Sequence, residues 1–290
     1  MIHSIDNICF SQRQRLTFIE SIAYWEGAVD RTRVSAAFKV SENHVTKDFR
    51  LYKEVFPGNL QYDESHRTYR PSRRFKPYIG RGSAEEYLSL LRSHVEQNTG
   101  NVVVPLLESI QADVTPQPKS ILNIAILNAF TRAIAAGTGL NIQYQSMNSG
   151  KPRPRKIWPH ALVFGGTRWH ARAYDAERES WIDVVLQRVL TAKPVADLHP
   201  LTDIHDKEWE TMVTIEVVPK RGLTSDQANV VAQEFGMIQK GDSWVWEVKL
   251  RECLAGYFIY LYRLDVKGDA RRRIELKDPA IADKYLPPVN

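Results

Sequence analysis

From Ser11 to Phe56 apolar positions recur at helical spacing in three short bursts separated by turn residues. Residues 11–26 put Leu16, Ile19 and Ala23 on one face before Gly27 stops the run. Asp30 is placed to cap a second helix whose stripe is Val34, Ala37 and Phe38, and Ser41 a third that ends at Pro57-Gly58. The third helix lines Val45, Phe49, Tyr52 and Phe56 along one side. Its opposite side carries Asn43, Lys47, Arg50 and Glu54, flanked by His44 and Thr46. LQYD (60–63), a turn at 64–66 and RTYRPSRR (67–74) then predict a hairpin, with Tyr62 and Tyr69 inward and Arg67, Arg70, Arg73 and Arg74 outward.

Beyond a connector at 72–82, a helix is expected over 84–97, packing through Tyr87, Leu88, Leu91 and Val95. VVVPLL (102–107) reads as a short strand, DVTPQPK as loop, and 119–136 as a strong helix ended by Gly137-Thr138-Gly139. The period then switches to two. Strands are expected at 140–146, 155–166, 168–175 and 181–190, a set that suggests a small barrel or strongly bent sheet. From Thr211 a strand, a helix capped by Thr224, a strand at 243–250, a helix at 252–264 and a last strand at 273–278 suggest a small α+β sandwich. The fold class expected is therefore a multidomain α+β chain. Its parts are a winged helix-turn-helix at 1–82, a helical linker at 83–118, a β-barrel at 119–202 and an α+β domain at 203–290.

Composition alters this picture little, but charge does. The chain has 290 residues and a net charge of +5. Residues 1–82 hold fourteen Lys or Arg against nine Asp or Glu, residues 151–193 nine against four, and the remainder is acidic. Two basic regions in an acidic body favour two polyanion-facing sites over a uniformly basic surface. The two cysteines, Cys9 and Cys253, imply neither a disulfide framework nor a metal site, and no run reaches membrane-spanning length, so a cytoplasmic setting without membrane partners is expected.

The chemistry present suits recognition. G-x-S-x-G, Walker A, H-E-x-x-H and C-x-x-C are all absent, and no catalytic residue, metal or cofactor is expected. On the third helix, Arg, Asn, Lys and Thr are the residue types that read the major groove and its phosphates. Asn43, His44, Thr46, Lys47 and Arg50, with Arg67 and Arg70 of the hairpin, are thus the candidate DNA contacts, set against the plain alternative of a solvated helix face. Alternation in 168–174 puts Arg168, His170, Arg172 and Tyr174 on one face and Trp169, Ala171 and Ala173 on the other, which reads as the core face. So many basic-capable groups on one strand would repel one another unless an anion sits there. Tyr144, Ser146, His160 and Arg188 can join the patch, giving a candidate site for a nucleotide or oligonucleotide. His170 titrates near neutral pH when unperturbed, so affinity there is expected to vary with pH.

The run PHALVFGGTRWHARAYD followed by WIDVVLQRV resembles the WYL domain of bacterial transcriptional regulators. Trp169 keeps the first residue of that family's Trp-Tyr-Leu tripeptide, and His170-Ala171 depart from the other two. Pro159-His160 and the RWHARAY form are similar to the branch tied to phage-defence islands, the BrxR- and CapW-like regulators, as is the order of domains. The resemblance implies an Sm- or SH3-like central barrel that senses a nucleic-acid-derived ligand, and a homodimer, joined through its C-terminal domain, that represses a neighbouring operon from an inverted repeat. A nucleic-acid-processing enzyme with a winged-helix substrate domain and an RNA-binding adaptor are the alternatives from other classes.

Overall fold

The computed structural model describes residues 8–80, 82–96, 111–116, 118, 121–198, 205–266, 268 and 271–286. They form two compact units, 1–116 and 117–290. The segment 102–107, expected as a strand, lies outside the described residues.

The first unit is built from α1 (Phe10–Glu26), α2 (Arg31–Phe38), α3 (Glu42–Val55), the hairpin β1 (Leu60–Asp63) and β2 (Thr68–Pro71), and α4 (Ala84–Val95). Its punctuation follows the local chemistry. Gly27 ends α1 in the left-handed region, the Asp30 side chain accepts from Arg33 N to open α2, and Ser41 accepts from His44 N to open α3. Leu16, Ile19, Ala23, Val34, Val45, Phe49 and Tyr52 close the core over Leu60. The hairpin is docked as well as paired: Tyr69 exchanges both backbone hydrogen bonds with Val29, and its ring stacks on Phe49 at 4.1 Å. Tyr62, expected inward beside it, is its partner in the ladder and shares its face, yet is 41% exposed: its ring rests on Tyr69, and it is the Tyr69 ring that covers Phe49.

In the second unit α5 (Ile124–Ala136) precedes β3 (Thr138–Gln145), β4 (Pro152–Phe164), β5 (Trp169–Asp175), β6 (Ser180–Val185) and β7 (Val189–Leu198). Asn123 caps α5, so the helix opens later than its apolar run. The five strands order as β6-β5-β4-β3-β7. Among the described residues no ladder joins β6 to β7, so the expected barrel is replaced by an open, bent sheet. The stretch 181–190, expected as one strand, is broken by a 3₁₀ turn at Leu186–Arg188. Val184, Val185, Leu186 and Val189 are all buried, and these apolar residues on both sides of Gln187-Arg188 hide the turn from periodicity. β4 carries a bulge: Pro159 pairs with Ala173 and Ala161 with Arg172, so His160 has no opposite residue.

The chain continues through α6 (Lys207–Glu210), β8 (Met212–Pro219), α7 (Ser225–Glu234), β9 (Ile238–Lys240), β10 (Ser243–Arg251), α8 (Ala255–Leu261), β11 (Ile274–Leu276) and α9 (Ala280–Tyr285). The strands form a second sheet in the order β11-β8-β10-β9, and Ile215, Val217, Val231, Ala255, Ile259 and Leu276 make its core. Short α6, β9 and α9 offer too few periods to be read from sequence. Among the described residues no helix is long and apolar enough to cross a membrane.

Candidate functional site

In the first unit one face of α3 stays open. Asn43, His44, Thr46, Lys47 and Arg50 are exposed, while Val45, Asp48, Phe49 and Tyr52 turn inward. Three of the exposed groups are engaged, His44 through Nε2 with Arg15 Nη2 at 2.9 Å. Thr46 Oγ1 donates to Glu42 O at 2.8 Å and accepts from Arg31 at 3.5 Å, and Arg50 Nε meets Glu54 at 3.0 Å. An exposed pair of that kind is worth little and yields readily to a phosphate. In the hairpin, Arg67 sits exposed at φ 52°, and Arg70 donates to Asp63 at 2.8 Å. Hydrogen bonds from Arg70 and His66 hold the Asp63 carboxyl down at about 2. What periodicity missed is the buried layer beneath. Asp48 and Arg15 pair at 2.6 Å inside the domain, joining α1 to α3. The signal available was an aspartate three residues after Val45, on the side of α3 that faces the core.

The second unit divides the other predicted residues into groups. Arg172 is 4% exposed and is held by carboxylates of the same chain. It donates to both oxygens of Asp206 (2.7 and 3.0 Å), to Glu208 at 2.6 Å and to Asp183 at 3.4 Å. Asp206 also caps α6 through Trp209 N and lies 3.1 Å from His160 Nε2. His160 reaches it because the β4 bulge turns its side chain out of the ladder, and the ring is wedged edge-on between Trp181 and Trp209. The anion expected opposite this basic strand is therefore supplied at Arg172 by 183, 206 and 208. Burial pushes the Asp206 carboxyl up, but hydrogen bonds and charge from Arg172, with the His160 contact, leave it below its ordinary value.

Ala171 and Ala173 are fully buried, as their face requires, but Trp169 is 47% exposed at the end of β5 and leans on Phe164. His170, on the opposite face, is 2% exposed because α8 covers it: the Tyr257 ring lies 4.9 Å away. That close approach needs the glycine turn before β5. A Cβ on Gly165 would come within 3.0 Å of Tyr257, and one on Gly166 within 2.8 Å of Leu261. Burial, ahead of the opposing pull of Asp183, lowers the His170 pKa, and the Arg168 and Arg188 charges add to the lowering, so the ring is neutral at neutral pH. Its Nδ1 is buried without a hydrogen-bond partner.

Arg168 and His170 line a cavity of about 650 Å³ together with Asp183, Glu208, Cys253, Tyr257, Tyr260 and Lys284. Asp183 is occupied by the Tyr257 hydroxyl at 3.0 Å, and Glu252, also in the wall, by Lys284 at 3.0 Å. Burial pushes the Cys253 thiol up to about 11, leaving it protonated and unreactive. Tyr144 lies in the hydrophobic core, where its hydroxyl accepts from Val185 N at 3.4 Å. Ser146 belongs to the β3–β4 turn, 3.2 Å from Ser149 Oγ, and Arg188 to the 3₁₀ turn. Neither Tyr144, Ser146 nor Arg188 lines the cavity. Tyr257 of α8, which does line it, carried no sequence signal, because its partner Asp183 lies 74 positions away along the chain.

Comparison with known proteins covers the same regions. Residues 11–93 match the BrxR transcriptional regulator winged helix-turn-helix domain, residues 125–194 the WYL domain, and residues 212–281 the BrxR transcriptional regulator C-terminal dimerization domain. The chain is 32% identical over 241 residues to the DNA-binding transcriptional repressor CapW of Stenotrophomonas maltophilia, spanning 79% of this chain and 77% of that one. It is 30% identical to the repressor of the same name from Pseudomonas aeruginosa, over 95% and 90% of the two chains. Against the one from Escherichia coli strain KTE188 the identity is 28%, over 88% and 84%.

Proposed function

The chain belongs to the BrxR and CapW family of WYL-domain transcriptional repressors, and from that membership we propose that it binds an inverted-repeat operator as a homodimer through the exposed face of α3. The observation that carries this reading is the open polar face of α3, with Asn43, Lys47 and Arg50 outward on a helix packed from behind by α1 and α2. The hairpin arginines Arg67 and Arg70 serve the flanking backbone. The C-terminal α+β region joins the two protomers, so two α3 helices meet half-sites one or more turns of DNA apart. In this reading the target is a phage-defence operon and the protein acts in the cytoplasm.

The test is equilibrium binding to the intergenic inverted repeat. Lys47→Ala and Arg50→Ala are each expected to weaken specific binding by at least about tenfold, a loss of ~1–3 kcal/mol per contact. Lys47→Ala should also reduce the steepness of the salt dependence if it neutralises a phosphate. Affinity equal to wild type for both variants would remove α3 from the interface.

The effector site belongs, in the same proposal, at the cavity beside β5. Arg168 offers a guanidinium that no side chain of the described residues engages, and His170 offers a buried ring nitrogen without a partner. Both suit an anionic nucleotide or oligonucleotide bearing hydrogen-bonding groups. His160 and Arg172 act behind them by holding the wall through Asp206, and Arg188 by its charge. Tyr144 and Ser146 support the end of β3. Short oligonucleotides or mononucleotides that release wild-type protein from its operator are expected to leave Arg168→Ala bound, with operator affinity in their absence unchanged. An Arg168→Ala protein still released at the same concentrations would place the effector elsewhere.

A further inference from the structure

We infer that His44 contacts DNA as a hydrogen-bond donor through Nδ1–H, and that buried Arg15 and Asp48 set this tautomer from inside the domain, an inference that rests on α3 being the DNA-reading helix. Asp48 is completely buried and accepts from Arg15 Nε at 2.6 Å, from Arg15 Nη2 at 3.2 Å and from Gln12 Nε2 at 2.9 Å. Arg15, 5% exposed, also donates through Nη1 to Ser11 O at 3.2 Å. The guanidinium is thus fixed in position and plane, and its Nη2 lies 2.9 Å from His44 Nε2.

A guanidinium has donors and no acceptor. His44 Nε2 must therefore offer its lone pair to Arg15, and the ring proton must sit on Nδ1. Nδ1 occupies the other edge of the imidazole, turned away from Arg15 on an exposed residue of the first turn of α3. Among the described residues nothing accepts from it. The backbone of this turn is itself pinned, because His44 N donates to the N-cap Ser41 at 3.3 Å. A donor held at a known place on the exposed face of α3 recognises an acceptor on DNA, either a phosphate oxygen or an acceptor on a base edge. A histidine free to choose would divide its proton between the two nitrogens and lose orientation each time it rotated. Arg15 is a positioning residue here and touches no DNA.

The experiment uses full-length protein labelled with ¹⁵N at histidine. Long-range ¹H–¹⁵N correlation is expected to show His44 as the Nδ1–H tautomer in the wild type and to lose that preference in Arg15→Met. In operator binding, His44→Ala should weaken affinity about five- to tenfold, and His44→Asn, which keeps an N–H near the Nδ1 position, should stay within about threefold of wild type. A loss uniform across operator variants assigns the acceptor to phosphate, and a loss confined to one base pair assigns it to a base edge. Should Arg15→Met fail to fold, the wild-type tautomer and the two variants at exposed His44 decide the matter. An Nε2–H tautomer in the wild type overturns the inference. So does unchanged affinity of His44→Ala while Lys47→Ala and Arg50→Ala bind poorly. If all three alanine variants bind as wild type does, the reading of α3 fails and takes this inference with it.

Discussion

Arg172→Ala is expected to destabilise the 117–290 unit by about 3–5 kcal/mol, enough to leave much of it unfolded near body temperature. Asp206, 5% exposed, would lose both of its guanidinium hydrogen bonds and keep only the His160 contact and the cap to Trp209. Asp183 would keep Tyr257, and half-exposed Glu208 would turn to solvent. The cost comes from the charge left behind in a place water does not reach, more than from the pair that was broken. Arg172→Lys should recover only part of it, since an ammonium cannot span both oxygens of Asp206 and a third carboxylate in one plane. Urea unfolding followed by tryptophan fluorescence checks this directly, because every tryptophan except Trp25 lies beyond residue 117. The same network sets a pH dependence. Asp206 has a folded pKa below its unfolded value, so its contribution is present above the unfolded value and is lost as pH falls through the folded one. Arg172→Ala should flatten that acid limb, and a variant as stable as wild type would show that the carboxylates find other partners.

Glu20→Ala is expected to cost the first unit about 3 kcal/mol or more. Glu20 is completely buried and accepts four hydrogen bonds: from Tyr52 Oη at 2.8 Å, Tyr78 N at 3.0 Å, and Ile79 N and Gly80 N at 2.8 Å each. No cation neutralises it among these contacts; the donors do. Through Tyr52 it ties α1 to α3, and through the three backbone N–H groups it holds the chain leaving the hairpin. Burial, with the Glu20 charge, pushes the Tyr52 hydroxyl well above its ordinary value, so Tyr52 remains a donor throughout the usual pH range. Glu20→Gln keeps the shape but presents an N–H₂ where an acceptor is needed, so it should recover little. Amide exchange at Tyr78, Ile79 and Gly80 is the sharpest measurement: protection in the wild type and its loss in both variants, with α5 and the sheets unaffected. Retained protection in Glu20→Ala would mean that Asn59, which accepts from Lys76 N at 2.9 Å, holds the connector by itself.

The winged helix-turn-helix was legible residue by residue because its determinants are local. Caps at Asp30 and Ser41, the stop at Gly27, and the spacing of Val45, Phe49 and Tyr52 each act within a few residues, and each lies where expected. The strands from β3 to β5 were legible for the same reason, since alternation is a property of neighbours. The ligand face on β5 was legible only as a strip. Period two assigns a side chain to a face but is silent about what covers that face.

By itself, then, the chain determines the identity and order of its helices and most of its strands, the exposed face of α3, and the two concentrations of positive charge. Those depend on propensity, capping and periodicity, which act over one or two turns. Tertiary structure alone decided that Arg172 is neutralised from within, that a bulge sends His160 to Asp206, that the sheet stays open between β6 and β7, and that buried Arg15 orients His44. Each of these pairs residues separated by between 11 and 46 positions, or turns on strand register. The physical reason is the same in every case. A buried charge must find its partner wherever folding brings one within hydrogen-bonding distance, and that distance is measured in space, with no trace in the local pattern.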